Sequence, residues 1–480
     1  MSRCIADGGV VTALDAFAEL PEWLAAVRAP GRVAEALRRT VPELAGPRLE
    51  LTGAVVDRLR AKEAEWHVHC RVGLVDDGQP SEFVLVGRLL PPGPAPSLVP
   101  SVLPFGKPGW RCYLPDLRLQ LEVETADAGL PALPSLVDAD RAAKVLQDCL
   151  RKAGYGVDVT GCVPDVVRYQ PGDRCTIVYR MAYGNGSHGP DPLVAKTHQG
   201  DKGRTAWEAM RALWERPLAT DGVVTLAEPL AYLSEERVLV QGPVPEERTL
   251  KDLAREALTD AMTNESAGTL DELREMLTRT ATALAALHGS GARYGGSATW
   301  DEEVAEVRAI VAGLATTIPH IGTAADPLLS RLEALHASVP ADPLVSAHHD
   351  FRVAQVLLHQ GQIGFIDFDG ACRAEPALDL GRFRASLRDI GIRAFFASAC
   401  PPAGVQLERH LRLLDRLCDD FLEAYQRHAA VTAERVALWE STDLLTSVLH
   451  AWNKVQTARV EPRLAVLRHA VTTSTTLAAR

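Results

Sequence analysis

The sequence predicts an α+β protein in which strands give way to helices along the chain. Two observations predict this class. Short apolar runs separated by polar or glycine-containing turns, as from Trp66 to Gly87 and from Cys175 to Thr197, indicate antiparallel strands. From Thr249 onwards, long stretches carry apolar residues at helical spacing. The first half is therefore expected to be rich in β-sheet and the second half mainly helical.

Composition and charge limit the kind of protein this can be. The 480 residues suit two or three domains, and 47% hydrophobic with 24% charged residues is ordinary for a globular protein. A net charge of −11 argues against a nucleic-acid partner, because nucleic-acid-binding surfaces are basic. No apolar run is long enough to span a membrane, and the nine cysteines include no C-x-x-C pair. We therefore expect a cytoplasmic protein with free thiols and with no membrane or nucleic-acid partner.

The first 130 residues are predicted to be an N-terminal α/β extension. Alternating residues from Trp66 to Leu74 and from Phe83 to Gly87 flank a polar turn, which predicts a β-hairpin. A later hairpin has the same layout, and Arg88 stands where Lys196 stands in that hairpin. The extension is therefore either a degenerate second copy of the later segment or similar to it by chance, because basic residues often end strands.

A mixed segment is predicted over residues 131–244. Asp138 can cap a helix that continues to Gly154, where glycine stops it. Apolar runs bounded by turn residues predict the strands Val166–Tyr169, Cys175–Met181 and Leu193–Thr197.

Residues 245–480 are predicted to be mainly helical. The apolar residues between Leu270 and His288 recur at helical spacing, and further helices are expected up to the C-terminus. Five acids in the C-terminal helices either form a polyanionic wall for an amine-bearing substrate or lie on solvated helix faces, which is the interpretation we prefer. They are Asp419, Asp420, Glu423, Glu440 and Asp443.

The segment from Ala347 to Phe383 carries the residues with the clearest chemistry. Two apolar runs around a turn at Gly361 predict a short β-hairpin, which brings its two ends together. Asp350, Gln355 and Asp367 can therefore meet in space. One carboxylate could accept a hydroxyl proton, while a second carboxylate and an amide oxygen could hold Mg²⁺, which prefers oxygen ligands. These groups suit in-line phosphoryl transfer to an alcohol.

Three motifs in this segment follow one another at a defined spacing. They are His348-x-Asp350-x(4)-Gln355-Val-Leu, Ile366-Asp367-Phe-Asp369 and Glu375-Pro-Ala-x-Asp379-Leu. Together they resemble the aminoglycoside phosphotransferase and choline kinase superfamily. In that family the first motif usually reads H-G-D and is followed by Asn. Here His349 replaces the Gly and Gln355 replaces the Asn, and maltokinase-like relatives also carry Gln there. The resemblance implies a protein-kinase-like two-lobe fold, with a small lobe over 131–244 and a large lobe over 245–480. In its position, the extension over 1–130 also resembles the cap domain of the maltokinase-like relatives.

The resemblance implies a role for each acid of the segment. Asp350 would be the catalytic base. Gln355 and Asp367 would bind Mg²⁺, and Asp369 would reach a second metal ion.

Two further residues of the segment would support the catalytic loop. Asp379 would be a structural acid that pins the loop. Arg352 would either stabilise phosphate charge or pair with Asp379 or Glu375.

ATP would be held mainly by the small lobe. Lys196 would contact the phosphates as a point charge, aligned by Glu208 on the following helix, with Glu215 as the competing partner. Gln241 would begin the hinge whose backbone contacts adenine.

The predicted function is ATP-dependent transfer of the γ-phosphoryl group to a hydroxyl of a small molecule. An aminoglycoside, an amino alcohol or a sugar would fit as acceptor. The alternative is a nucleotide-binding pseudokinase or regulatory module with little turnover, favoured by His349, by Gln355 and by the missing glycine-rich loop. A typical protein kinase is disfavoured, because the sequence has neither a D-F-G triplet at Asp367 nor an A-P-E segment.

Overall fold

The structure, a computed structural model, confirms the α+β class. It describes residues 9–46, 49–62, 65–76, 78–93, 103–107, 109–123, 129–184, 186–263, 267–398 and 404–477. The chain divides into two compact units. The first comprises residues 1–126, 304–334 and 444–480, and the second comprises residues 127–303 and 335–443. The domain boundaries at residues 130 and 244 stay a prediction, and no pattern in the sequence indicated that two late segments would join the N-terminal residues.

The first unit is built around a five-stranded antiparallel sheet with the order β1-β2-β3-β5-β4. Its strands are β1 (Leu49–Lys62), β2 (Glu65–Asp76), β3 (Gln79–Leu89), β4 (Arg111–Leu114) and β5 (Leu119–Val123), preceded by helices α1 (Glu22–Arg28) and α2 (Arg32–Thr40). The predicted hairpin is confirmed as β2 and β3, which pair from Trp66–Leu89 to Asp76–Gln79. Trp66 is buried and donates to the Thr317 hydroxyl at 3.2 Å, so the segment 304–334 packs on this sheet.

The second unit begins with a short helix and a longer one that cover a second five-stranded sheet. They are α3 (Leu133–Leu136) and α4 (Ala139–Lys152), and the strands are β6 (Val159–Gln170), β7 (Arg174–Tyr183), β8 (Leu193–His198), β10 (Pro229–Leu233) and β11 (Val238–Gln241). Their order is β10-β11-β8-β7-β6. Asp138 caps α4 as predicted, because its side chain accepts from the Arg141 amide at 2.9 Å. Leu146 and Leu150 of α4 belong to the same buried cluster as Ile177 of β7.

The remainder of the chain is mainly helical, as predicted. Its helices are α5 (Lys202–Trp214), α6 (Leu250–Thr263), α7 (Ala267–His288), α8 (Trp300–Ala315), α9 (Pro319–Ser338), α10 (Pro376–Ser398), α11 (Gly404–Gln426), α12 (Ala433–Asn453) and α13 (Val460–Leu477). Within the described ranges, no helix is long and apolar enough to cross a bilayer.

The segment that carries the three motifs forms the predicted hairpin. Its strands are β14 (Val356–His359) and β15 (Gln362–Phe365), flanked in the sheet by β12 (Arg248–Thr249) and β9 (Thr225–Leu226). A second small sheet pairs β13 (Val345–Ala347) with β16 (Cys372–Ala374). Val356 pairs with Phe365, so the residues before β14 and those after β15 are neighbours.

Candidate active site

Lys196 on strand β8 contacts Asp367 and Asp369, the two acids that follow the β14–β15 hairpin. The Lys196 ammonium lies 2.6 Å from Asp367 Oδ1 and 3.5 Å from Asp369 Oδ1. Burial disfavours the charge of Lys196, but Asp369 and Asp367 outweigh burial and hold the pKa of the ammonium above its ordinary value. The structure therefore brings three of the predicted site residues into one cluster.

Asp369 is held by two further basic side chains of the same sheet. His198 Nε2 lies 2.9 Å from Asp369 Oδ2, and Arg174 lies 3.8 Å from the same oxygen. Burial raises the pKa of the Asp369 carboxyl, but Lys196 and His198 outweigh it, and the pKa lies well below its usual range. Asp369 is therefore ionised at neutral pH.

Glu208 is not brought to Lys196. It lies on α5 with an exposed side chain, and the ion pairs of Lys196 among the described residues are with Asp367 and Asp369. Glu215, the competing candidate, pairs with Arg211 one helical turn away. The acids at the end of the hairpin therefore take the place that the sequence assigned to a helix glutamate.

Asp350 lies near the start of the motif segment and is partly exposed. Its side chain is 47% exposed, and Arg352 Nε donates to Asp350 Oδ1 at 2.6 Å. Burial raises the pKa of Asp350, but Arg352 and then Arg382 outweigh it and hold the pKa below its ordinary value. One oxygen is thus oriented by a guanidinium, and the group is a carboxylate at neutral pH.

Arg352 has partners that the sequence did not indicate. Its two terminal nitrogens lie 3.3 and 3.0 Å from the carboxylate of Asp443 on α12, which is buried. The expected pairing with Asp379 or Glu375 is wrong, because His288 binds Asp379 and Arg435 binds Glu375. A contact of Arg352 with phosphate stays a prediction.

His349, which replaces the usual Gly, is held in place by Glu303 and Arg382. Its backbone has φ 72°, a left-handed conformation that favours glycine. His349 Nε2 lies 2.8 Å from Glu303 Oε1, and Arg382 contacts both the His349 carbonyl and Glu303. These contacts fix the residue that precedes Asp350.

Gln355 carries a buried oxygen without a partner among the described residues. Its side-chain Oε1 is fully buried and accepts no hydrogen bond, although buried polar atoms are nearly always paired. Its backbone carbonyl accepts from the Ile366 amide at 3.1 Å, so Gln355 lies beside the residue that precedes Asp367. An unpaired amide oxygen is a suitable ligand for a hard cation such as Mg²⁺. In the described ranges no three His, Cys, Asp or Glu side chains form a metal cluster. The assignment of Gln355, Asp367 and Asp369 as metal ligands stays a prediction.

Asp379 is fully buried at the start of α10 and holds the backbone of the loop that begins at His348. Its Oδ2 accepts from the His348 amide at 2.7 Å and lies 3.0 Å from His288 Nε2. His288 in turn lies 2.7 Å from the Tyr425 hydroxyl. This arrangement agrees with the expected structural role of Asp379.

Gln241 ends β11 and is buried. It pairs with Val194 of β8 and Pro229 of β10, and the following Gly242 amide donates to the Glu228 carbonyl at 2.8 Å. The contact of this segment with adenine stays a prediction.

The C-terminal acids do not form a polyanionic wall. Glu440 is buried and binds both Arg384 and Arg388, while Asp443 is buried against Arg352. For these two acids, the preferred interpretation as solvated helix faces is also wrong.

Several charged residues around the site were not predicted from the sequence. His198 had a usable signal, because it lies two positions after Lys196 and therefore on the same face of β8. Glu303 had none, since it lies on α8, outside the motif segment. Arg382 lies near the end of that segment, on α10, but none of the three motifs includes it.

A family model and several solved structures are similar to parts of this chain. Residues 208–414 match the phosphotransferase enzyme family. A glucosamine kinase in complex with glucosamine, ADP and inorganic phosphate is 18% identical, covers 69% of this chain and 85% of its own, and has a TM-score of 0.48. A choline kinase from Streptococcus pneumoniae is 13% identical, covers 69% of this chain and 98% of its own, and has a TM-score of 0.42. A thermostable mutant of an aminoglycoside phosphotransferase is 14% identical, with coverage of 69% and 99% and a TM-score of 0.43. A comparison with curated proteins found no match.

Lys196 lies before the matched range, whereas the loop and hairpin from His348 to Asp379 lie inside it. The part of the chain that carries the three motifs is therefore similar to the phosphotransferase enzyme family.

Proposed function

We propose that this protein transfers the γ-phosphoryl group of ATP to a hydroxyl of a small molecule in the presence of Mg²⁺. The observation that carries the proposal is the contact of buried Lys196 with the partly buried Asp367 and Asp369, together with the amide oxygen of Gln355, which has no partner among the described residues. A cation and oxygen ligands for a metal ion meet there, and phosphoryl transfer depends mainly on such positioned charges.

Each residue has a distinct task in this proposal. Asp350 accepts a hydrogen bond from the acceptor hydroxyl and orients it for in-line attack. Its lowered pKa makes it a weak base, which suffices because the transition state of phosphoryl transfer is loose and needs little proton removal at the start. Lys196 contacts the ATP phosphates as a point charge. Gln355 and Asp367 would hold Mg²⁺, with Asp369 beside them, and the ion would neutralise charge on the phosphates.

The acceptor hydroxyl is expected to bind next to the Asp350 carboxylate. The neighbouring Arg352 then determines which functional groups of the acceptor are tolerated there. Arg352 uses three of its five N–H donors on Asp350 and Asp443, and its side chain is partly exposed. The remaining donors suit the oxygen of a neighbouring hydroxyl group and disfavour an ammonium group beside the reacting oxygen. A polyhydroxy compound such as a sugar is therefore favoured over an amino alcohol as acceptor.

The test is ATP consumption with Mg²⁺ against a panel of sugars, amino alcohols and aminoglycosides. Acceptor-dependent turnover supports the proposal and names the acceptor class. ATP binding without turnover on any acceptor would favour the pseudokinase alternative.

A further inference from the structure

The sheet of the first unit has the same topology as the first sheet of the second unit. Each has five antiparallel strands, and when the strands of each sheet are numbered along the chain both have the spatial order 1-2-3-5-4. A helix precedes each sheet, α2 in the first case and α4 in the second. Equal topology alone is weak evidence of a repeat, because simple strand orders recur in unrelated proteins.

The strand register also agrees. Arg88 pairs with His67, the third residue of β2, and with Gln120, the second residue of β5. Lys196 pairs with Thr176, the third residue of β7, and with Leu239, the second residue of β11. The residues Leu-Val-Gly precede Arg88 and Leu-Val-Ala precede Lys196. The two basic residues therefore occupy the same place in their sheets.

The first strands of the two sheets share sequence and an irregularity. Residues 52–60 read TGAVVDRLR and residues 160–168 read TGCVPDVVR, with the same residue at five of the nine positions. The pairing of β1 with β2 and the pairing of β6 with β7 both have a register shift at this Thr-Gly pair. Thr52 in β1 and Thr160 in β6 have no paired residue on the neighbouring strand. A shared bulge at a shared Thr-Gly pair is not expected from chance, because bulges are conserved features of a family.

The row of paired residues that contains Arg88 and the row that contains Lys196 have similar side chains. On the β8 side the directly paired residues are Arg168, Thr176, Lys196, Leu239 and Tyr232. On the β3 side they are Arg60, His67, Arg88, Gln120 and Tyr113, here called the Arg88 row. Directly paired residues share one face of a sheet. Both rows thus present an Arg at one end, a Lys or Arg in the middle and a Tyr at the other end.

We propose that residues 32–123 are a second copy of the small-lobe sheet and that the Arg88 row is a second binding site for a phosphate-bearing small molecule. The row has two guanidinium groups. Adjacent strands lie about 4.8 Å apart, so the Cα atoms of Arg60 and Arg88 are separated by about 10 Å, across which two arginine side chains can reach one phosphate. Guanidinium groups bind phosphate oxygens through paired N–H donors.

The charges around the Arg88 row leave it open to an anion. Arg88 is 54% exposed and donates to Glu65 at 2.9 Å, and His67 lies 3.7 Å from the same carboxylate. Arg60 is exposed and has no ion pair among the described residues. Glu65 is the acid that contacts Arg88, and Glu122 lies in the next row of the same face. In the counterpart sheet, by contrast, Lys196 is already paired with two partly buried acids.

Calorimetric titration of the full chain tests this site apart from the catalytic site. ADP and glucose 6-phosphate are titrated into the Lys196→Met protein, in which the catalytic phosphate contact is removed. We expect one site to remain, and we expect R60A with R88A in the same background to weaken it at least tenfold. R111A is the matched control, since Arg111 is an exposed arginine of the same sheet in the next row, opposite Glu122. Equal melting temperatures confirm that the variants are folded.

Each outcome decides the proposal. Binding of both ligands that depends on Arg60 and Arg88 identifies a phosphate site, and binding of ADP alone identifies a nucleotide site. Unchanged binding in the double variant, or no binding in the Lys196→Met protein, overturns the proposal. The double variant with wild-type Lys196 should keep full acceptor-dependent turnover, so failure of the proposed catalytic function would appear separately in that assay.

Discussion

The Lys196 ammonium and the Asp367 carboxylate are 2.6 Å apart although 171 positions separate them in the chain. The contact joins β8 to the residue that follows β15, and Asp367 adopts a left-handed backbone with φ 75° there. A non-glycine residue in this conformation costs about 1 kcal/mol or more, which is typical of functional positions.

Replacing Lys196 with Met should lower kcat/KM at least a hundredfold. Loss of one preorganised electrostatic contact with the transferring group has an effect of this size. The measurement is steady-state ATP consumption with a saturating acceptor. K202M, at an exposed position on α5, is the control and should be neutral. Wild-type kinetics in Lys196→Met would show that Lys196 does not contact ATP.

Replacing Arg352 with Gln should move the acidic limb of the pH–rate profile to higher pH. The guanidinium holds the pKa of Asp350 below its ordinary value, so its removal raises that pKa and Asp350 becomes protonated at a higher pH. The profile of kcat/KM reports this ionisation in the free enzyme. R352K keeps the charge and should shift the limb less. An unmoved acidic limb in R352Q would mean that Asp350 is not the group observed.

Replacing Gln355 with Ala should raise the Mg²⁺ concentration needed for half-maximal activity at least tenfold. The substitution removes the buried oxygen that has no partner in the described part of the protein. Gln355→Asn, which restores the residue usual in the family, should keep most of the activity. If the alanine variant has the Mg²⁺ requirement of the wild type, Gln355 is not a metal ligand.

Replacing Glu440 with Gln should destabilise the fold by about 3–5 kcal/mol, because it leaves two buried guanidinium groups without their shared carboxylate. Burial raises the pKa of Glu440, but Arg384 and Arg388 outweigh it and lower the pKa. Its contribution is therefore complete above the ordinary glutamate pKa of about 4.3 and is lost as the pH falls through the lower folded-state value. The wild type should lose this contribution on acidification, whereas E440Q should not.

Urea denaturation at several pH values measures both effects. E408Q is the matched control, because Glu408 pairs with Arg412 on the surface of α11, where ion pairs contribute less than about 1 kcal/mol. Equal losses in E440Q and E408Q would contradict the buried network.

The sequence predicted those parts of the site that local patterns encode. Two apolar runs around Gly361 are sufficient to predict β14 and β15, and the pairing of these strands places Gln355 beside Ile366. Lys196 was recognisable because it ends an apolar strand.

The partners of these residues could not be predicted in the same way. The contact of Arg352 with Asp443 joins residues 91 positions apart, on a loop and a helix that have no common sequence pattern. Acids on amphipathic helices are usually solvated, and only tertiary packing distinguishes buried Glu440 from exposed Asp420. Glu208 was predicted to pair with Lys196, but Asp367 and Asp369 do so instead. This pairing also depends on tertiary packing that no local pattern encodes.

The most direct test of the proposed function compares the wild type with Asp350→Asn for ATP consumption across the acceptor panel, with ATP binding measured by calorimetry in parallel. We predict acceptor-dependent turnover in the wild type and a loss of at least a thousandfold in Asp350→Asn, while ATP binding stays within a few-fold. Equal turnover in both proteins would contradict the assignment of Asp350 as the residue that orients the acceptor hydroxyl. Loss of ATP binding together with turnover would contradict the placement of the acceptor and nucleotide sites.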